Sequence, residues 1–152
     1  MRGALILALL WAAPSFAQDF VPKVDPAQTA QCLADTESGI TAPDCVGAAA
    51  STCMEQAGGF STQGMSACVD AETALWDGFL NTQYKARMAA LTKSQKAALQ
   101  SAQRAWIAYR DADCGLQYEM FSDGTIRSNI YAGCMLNYTS ARALMLRDLG
   151  SY

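Results

Sequence analysis

The sequence predicts an all-α fold, a disulfide-stapled antiparallel helical bundle of about five helices, and three observations carry that reading. Apolar residues recur at three- and four-residue spacing through long stretches, and β-branched alternation is nowhere evident. Strong turn signals separate those stretches at Ser38–Pro43, Gly58–Gly59, Leu91–Thr92 and Ser122–Gly124. The six cysteines, at 32, 45, 53, 68, 114 and 134, fall in pairs on either side of turns.

Taken in order, the chain opens with MRGALILALLWAAPSFA, which carries one basic residue (Arg2), an apolar run from Ala4 to Ala13, Pro14 and the small-residue pattern Ser15-Phe16-Ala17. This pattern reads as a secretory signal peptide, too short to span a bilayer, with cleavage after Ala17. The expected organisation is therefore a signal peptide at 1–17, an N-terminal extension with short helices at 18–52, and the main helical domain at 53–150. Residues 18–26 contain two prolines and form an extended lead-in. A first short helix follows at about 27–37, and a second at 44–57, ended by Gly58 and Gly59. The third runs over 62–91 with Met65, Cys68, Leu75, Trp76, Phe79, Leu80, Tyr84 and Met88 on its apolar stripe. Thr92-Lys93-Ser94-Gln95 has the form of a capping box, so a fourth helix begins there and continues to about Met120. After the Ser122-Asp123-Gly124 turn a fifth helix occupies 126–149, striped by Ile130, Cys134, Tyr138, Ala141 and Met145.

An even number of cysteines behind a signal peptide reads as disulfides. Antiparallel helices face one another at residues equally distant from their turn. Cys32–Cys45 centres near Gly39, Cys53–Cys68 on Phe60 and Ser61, and Cys114–Cys134 on Gly124. Of the 15 connectivities open to six cysteines, only this sequential one puts every bridge across a hairpin. No Cys-x-x-Cys occurs and no spacing resembles a zinc site, which disfavours disulfide exchange and metal binding. The chain has no histidine, which removes His-based triads, ordinary zinc enzymes and histidine proton shuttles. No metal or other cofactor is expected. Lys and Arg total 11, Arg2 among them, against 14 acidic residues, so the exported chain is acidic. That balance disfavours nucleic acid and membrane insertion and favours a basic protein partner.

The segment QRAWIAYRDADC, from Gln103 to Cys114, concentrates charge on one helix. Turn symmetry about 91 and 92 sets Glu72 opposite Arg110 or Asp111; symmetry about Gly124 sets Arg110 opposite Tyr138 and Trp106 opposite Arg142, whose guanidinium can stack on the indole. Glu72, Asp111 and Asp113 could be paired carboxylates for acid/base chemistry. The alternative is an ion network that fixes helix register, built on Glu72, Trp106, Arg110, Asp111, Tyr138 and Arg142. Arginine beside the carboxylates and the lack of an evident cleft favour the network and a chain that is not an enzyme.

Three strings, CVDAETALWDGFLNTQY from Cys68, LTKSQKAALQSAQRAWIAYRDADC from Leu91, and IYAGC followed by TSARALMLRDL from Ile130, resemble the LprI-type lysozyme-inhibitor family of exported bacterial helical domains. The likeness covers Cys53 to Leu149, and Glu72, Trp76, Asp77, Leu80, Asn81, Tyr84, Gln103, Arg104, Trp106, Arg110, Asp111, Cys114 and Cys134 match its pattern. It implies a periplasmic binding protein that blocks a lysozyme cleft; the rival is a cell-envelope adaptor for some other protein. The contact residues expected from the turns at Gly58–Thr62 and Met120–Thr125 are Phe60, Phe121 and Asp123.

Overall fold

The computed structural model describes residues 20–151; the expected signal peptide at 1–17 lies outside them. Among the described residues every regular element is a helix: α1 (Pro26–Asp35), α2 (Ala48–Met54), α3 (Thr62–Ala90), α4 (Lys93–Met120) and α5 (Arg127–Asp148).

Caps account for where the helices begin and end. The Asp25 side chain accepts the Ala27 amide at 2.9 Å, ahead of Pro26, whose missing N–H costs nothing at a helix start. The Ser61 hydroxyl takes the Gly64 amide at 2.9 Å, and Thr92 with Gln95 closes the capping box of α4. Helix α1 stops where Thr36 turns its backbone N–H and its hydroxyl back onto the Cys32 carbonyl, at 3.2 and 2.6 Å. Helix α2 is shorter than the expected 44–57. Asp44–Gly47 instead form turns, closed by Val46 N–H to Pro43 and Ala48 N–H to Cys45, both at 3.2 Å. Gly47, at φ 92°, adopts the left-handed conformation that redirects the chain into the helix.

Helices α3 and α5 lie side by side and run the same way. Near their starts Ser66 hydrogen-bonds Ser128 and Asn129. Near their ends Arg87 donates to the carbonyls of Leu146, at 2.8 Å, and Arg147. Helix α4 runs back antiparallel along α5 and barely touches α3 beyond their shared turn. The core forms between α3 and α5 from Trp76, Leu80, Leu136, Ala143, Leu144 and Leu146, joined by Leu99 of α4 and Cys32 of α1. Each large apolar side chain buried there contributes about 1.5–3 kcal/mol. Of the 28 residues of α4 only Leu99 and Cys114 are buried, so this helix leans on the bundle along one edge.

Three disulfides join Cys32–Cys45, Cys53–Cys68 and Cys114–Cys134, with Cα separations of 5.6, 5.7 and 5.6 Å. A second fastening is polar. The Arg147 guanidinium donates to the carbonyls of Leu33, Thr36 and Glu37 at 2.7, 2.9 and 3.2 Å, at and just beyond the end of α1, where carbonyls lack partners within the helix. Asp148 holds that guanidinium, with Nε to Oδ1 at 2.7 Å, and accepts the Gly39 amide at 2.9 Å. A cation at a helix C-terminus also meets the negative end of the helix dipole.

Candidate functional site

The charges of the sequence cluster divide into two separate arrangements. Glu72 does not meet Arg110 or Asp111. It is 1 % exposed, and its carboxylate accepts the backbone amides of Gly47 and Ala50, at 2.9 and 2.7 Å, and the Trp76 indole N–H at 3.1 Å. Turn symmetry failed here because it takes consecutive helices to be neighbours, whereas α3 packs on α5 and α2. A carboxylate at the start of α2 satisfies amides that have no partner in the helix and sits at the positive end of its dipole. Asp111 is exposed and pairs with its neighbour Arg110 at 2.8 Å, so Glu72 and Asp111 form no acid/base pair.

The remaining members lock α4 to α5. The Trp106 ring carries the Arg110 guanidinium 4.9 Å and the Arg142 guanidinium 5.8 Å from its centroid. Arg142 Nε donates to Gln103 at 3.0 Å. Tyr138 does not pair with Arg110: its hydroxyl donates to Asp113 at 2.9 Å and lies 3.2 Å from that of Tyr109, their rings meeting edge to face. Hydrogen bonds to Tyr109 and to Asp113 raise the Tyr138 phenol above its ordinary value. Asp113, expected to take guanidinium donors, and Tyr109, which was not expected in the network, thus take the place that Arg110 was given.

The two turns expected to carry the contacts lie at one end of the molecule, because α3 and α5 start together there and α4 ends there. Phe60 is 70 % exposed and Phe121 is 45 % exposed, and Asp123 is exposed on the same turn as Phe121. Each turn is braced. The Ser61 hydroxyl donates to the Gly58 carbonyl at 2.7 Å, and Gly64 is buried where a Cβ would stand 2.2 Å from that same carbonyl oxygen, so only glycine admits the approach. On the other turn Arg127 lies over the Tyr118 ring, 4.6 Å from its centroid, and donates to the Ser122 carbonyl at 3.2 Å. The buried Cys53–Cys68 and Cys114–Cys134 bridges anchor their bases.

Between the turns runs a shallow notch lined by Thr62, Gln63, Ser66, Ala67, Asp70, Thr125 and Ser128. Desolvation raises the Asp70 carboxyl above the usual carboxylate range, although its outer edge is exposed. Met120, at 71 % exposure, with Leu116 and Ile126, adds apolar surface beside Phe121. Sequence reasoning passed over Asp70, Leu116 and Ile126. Leu116 and Met120 stand four apart on α4, a spacing that on its own reads as a buried stripe.

Fold and site together define a small disulfide-stapled helical domain with two braced turns exposed at one end, its buried Glu72 holding the start of α2. No described helix is long and apolar enough to cross a membrane. The chain belongs to the lysozyme inhibitor LprI family, whose model matches residues 53–146. It is also similar to an uncharacterized protein of Rhizobium meliloti, at 29 % identity over 102 residues that cover 59 % of this chain and 73 % of that protein. No solved structure matches. The family implies an inhibitor with a protein partner, and three disulfides fit an extracytoplasmic setting.

Proposed function

We propose that the protein is exported by its 1–17 signal peptide to the periplasm and there blocks a lysozyme cleft with the end of the bundle that carries Phe60, Phe121 and Asp123. The observation that supports this most is the placing of two disulfide-anchored turns, with exposed aromatic tips, at one end of a member of a lysozyme-inhibitor family. Surfaces of this kind bind well because anchoring lowers the entropy lost on association, and a few aromatic side chains supply most of the energy. The acidic chain steers a basic lysozyme toward itself, and the notch around Asp70 offers a cationic side chain of that partner a carboxyl group that has no ion pair among the described residues.

The test is lysozyme turnover titrated with the mature protein. Inhibition at micromolar concentration is expected, weakened about tenfold or more by Phe60→Ala and by Phe121→Ala with melting temperature unchanged. An absence of inhibition across lysozyme classes sinks the reading and leaves the envelope adaptor, to be sought by pulldown from envelope extract.

A further inference from the structure

At the other end of the bundle an apolar groove of about 980 Å³ lies between α4 and α5. Its walls are one face of each helix: Ala98, Leu99 and Ala102 on α4, and Met145 and Leu149 on α5, at the three- and four-residue spacing that aligns side chains. Arg142 continues the α5 row, and its bond to Gln103 fixes it beside Ala102. The guanidinium therefore stands at the inner end of the groove. Leu149 lies two turns further on, about 10 Å along the axis.

Arg142 lacks a counter-ion among the described residues, whose ion pairs are Arg110–Asp111 and Arg147–Asp148. Only its Nε has a hydrogen-bond acceptor there, so both terminal nitrogens are free. Burial disfavours its charge. The other charged group on the groove, Asp148, is already taken by Arg147 and the Gly39 amide. A carboxylate on the free edge of the fork relieves the uncompensated charge through two charge-assisted bonds.

The walls narrow the choice further. Along Ala98, Leu99 and Ala102 the helical backbone has spent its N–H and C=O groups, so an extended peptide lying there leaves its own backbone groups facing alanine and leucine. An alkyl chain has no such groups to satisfy. We propose that this groove binds a medium-chain alkyl carboxylate, with the carboxylate on Arg142 and the chain running along Ala102, Leu99 and Ala98 toward Leu149. Ser38, Gly39, Thr41 and Leu149–Ser151 help to close the groove, which lies at the opposite end of the bundle from Phe60 and Phe121.

Titration calorimetry of the mature protein with decanoate, decanol and decyltrimethylammonium tests this. Decanoate should bind about tenfold or more tighter than decanol, and the ammonium compound not at all. Arg142→Gln should erase the preference for decanoate and leave decanol affinity unchanged. Ala98→Trp, which keeps Arg142 and obstructs the groove, should abolish binding of both. The proposal is overturned if decanol matches decanoate on the native protein, if Ala98→Trp binds as the native protein does, or if a short peptide ending in a free leucine carboxylate displaces decanoate at lower concentration. Should Arg142→Gln fail to fold, the native-protein comparison and Ala98→Trp still decide.

Discussion

At Glu72 the protein buries a carboxyl group that has no ion-pair partner among the described residues, and the three N–H groups around it explain how. A buried carboxyl group whose oxygens accept several N–H bonds has its polar atoms satisfied without an ion pair. Glu72→Gln replaces one acceptor oxygen by an NH2 group that must face amide donors, so a loss of about 2 kcal/mol is expected, read as a lower urea midpoint at unchanged slope. A variant of native stability would exclude the capping role. Asp148 tests a second site. The Arg147 guanidinium, aided by the Gly39 amide, holds its carboxyl below the usual range against the opposing effect of burial. A folded value below the unfolded one gives stability that is present above the unfolded value, about 3.9, and is lost as pH falls through the folded value. Asp148→Asn should therefore melt lower than the native protein at pH 7, and the gap should close below about pH 4. A gap that persists in acid would assign the effect to packing.

Helix by helix, local rules account for most of what the sequence showed. The Thr92–Gln95 capping box and the turns at Leu91–Thr92 and Ser122–Gly124 depend only on near neighbours, and α3, α4 and α5 begin and end within a residue or two of expectation. The disulfides were legible for a related reason: each spans one hairpin, so distance from a turn is enough to pair them. Helix α2 was not legible in the same way. Its length is set by Gly47 and by a carboxylate 22 residues beyond Ala50. The α4–α5 hairpin depends most on its staple, because α4 buries so little else. Replacing Cys114 and Cys134 together by serine should lower stability by about 3 kcal/mol, the chain-entropy value for a loop of 20 residues. Urea unfolding measures it; a loss below about 1 kcal/mol would mean that the packing of Trp106 between its arginines already holds the hairpin.

Across the whole molecule, residues 20–52 act as part of the packing although they precede the family match. Cys32 joins the core with Trp76, Glu72 depends on amides of Gly47 and Ala50, and Arg147 on carbonyls of Leu33, Thr36 and Glu37. A chain limited to 53–151 takes the Gly47 and Ala50 amides from Glu72, leaves Arg147 to Asp148 and uncovers the core face that Cys32 packs on; each large apolar side chain so uncovered costs about 1.5–3 kcal/mol against a total of about 5–15 kcal/mol. It should lose its cooperative thermal transition by circular dichroism; a sharp transition near the native temperature would show the N-terminal segment to be dispensable.

The sequence by itself determined four of the five helices, the Thr92–Gln95 cap, the turns and the three bridges, because each follows from spacing along the chain or from distance to a turn. It also carried the family likeness and the exposed tips at Phe60 and Phe121. Only the tertiary structure decided that α5 packs on α3 while α4 stands aside. That choice depends on which apolar faces fit across long separations, and it gave Glu72 its partners, brought the two turns to one end and opened the groove beside Arg142 at the other.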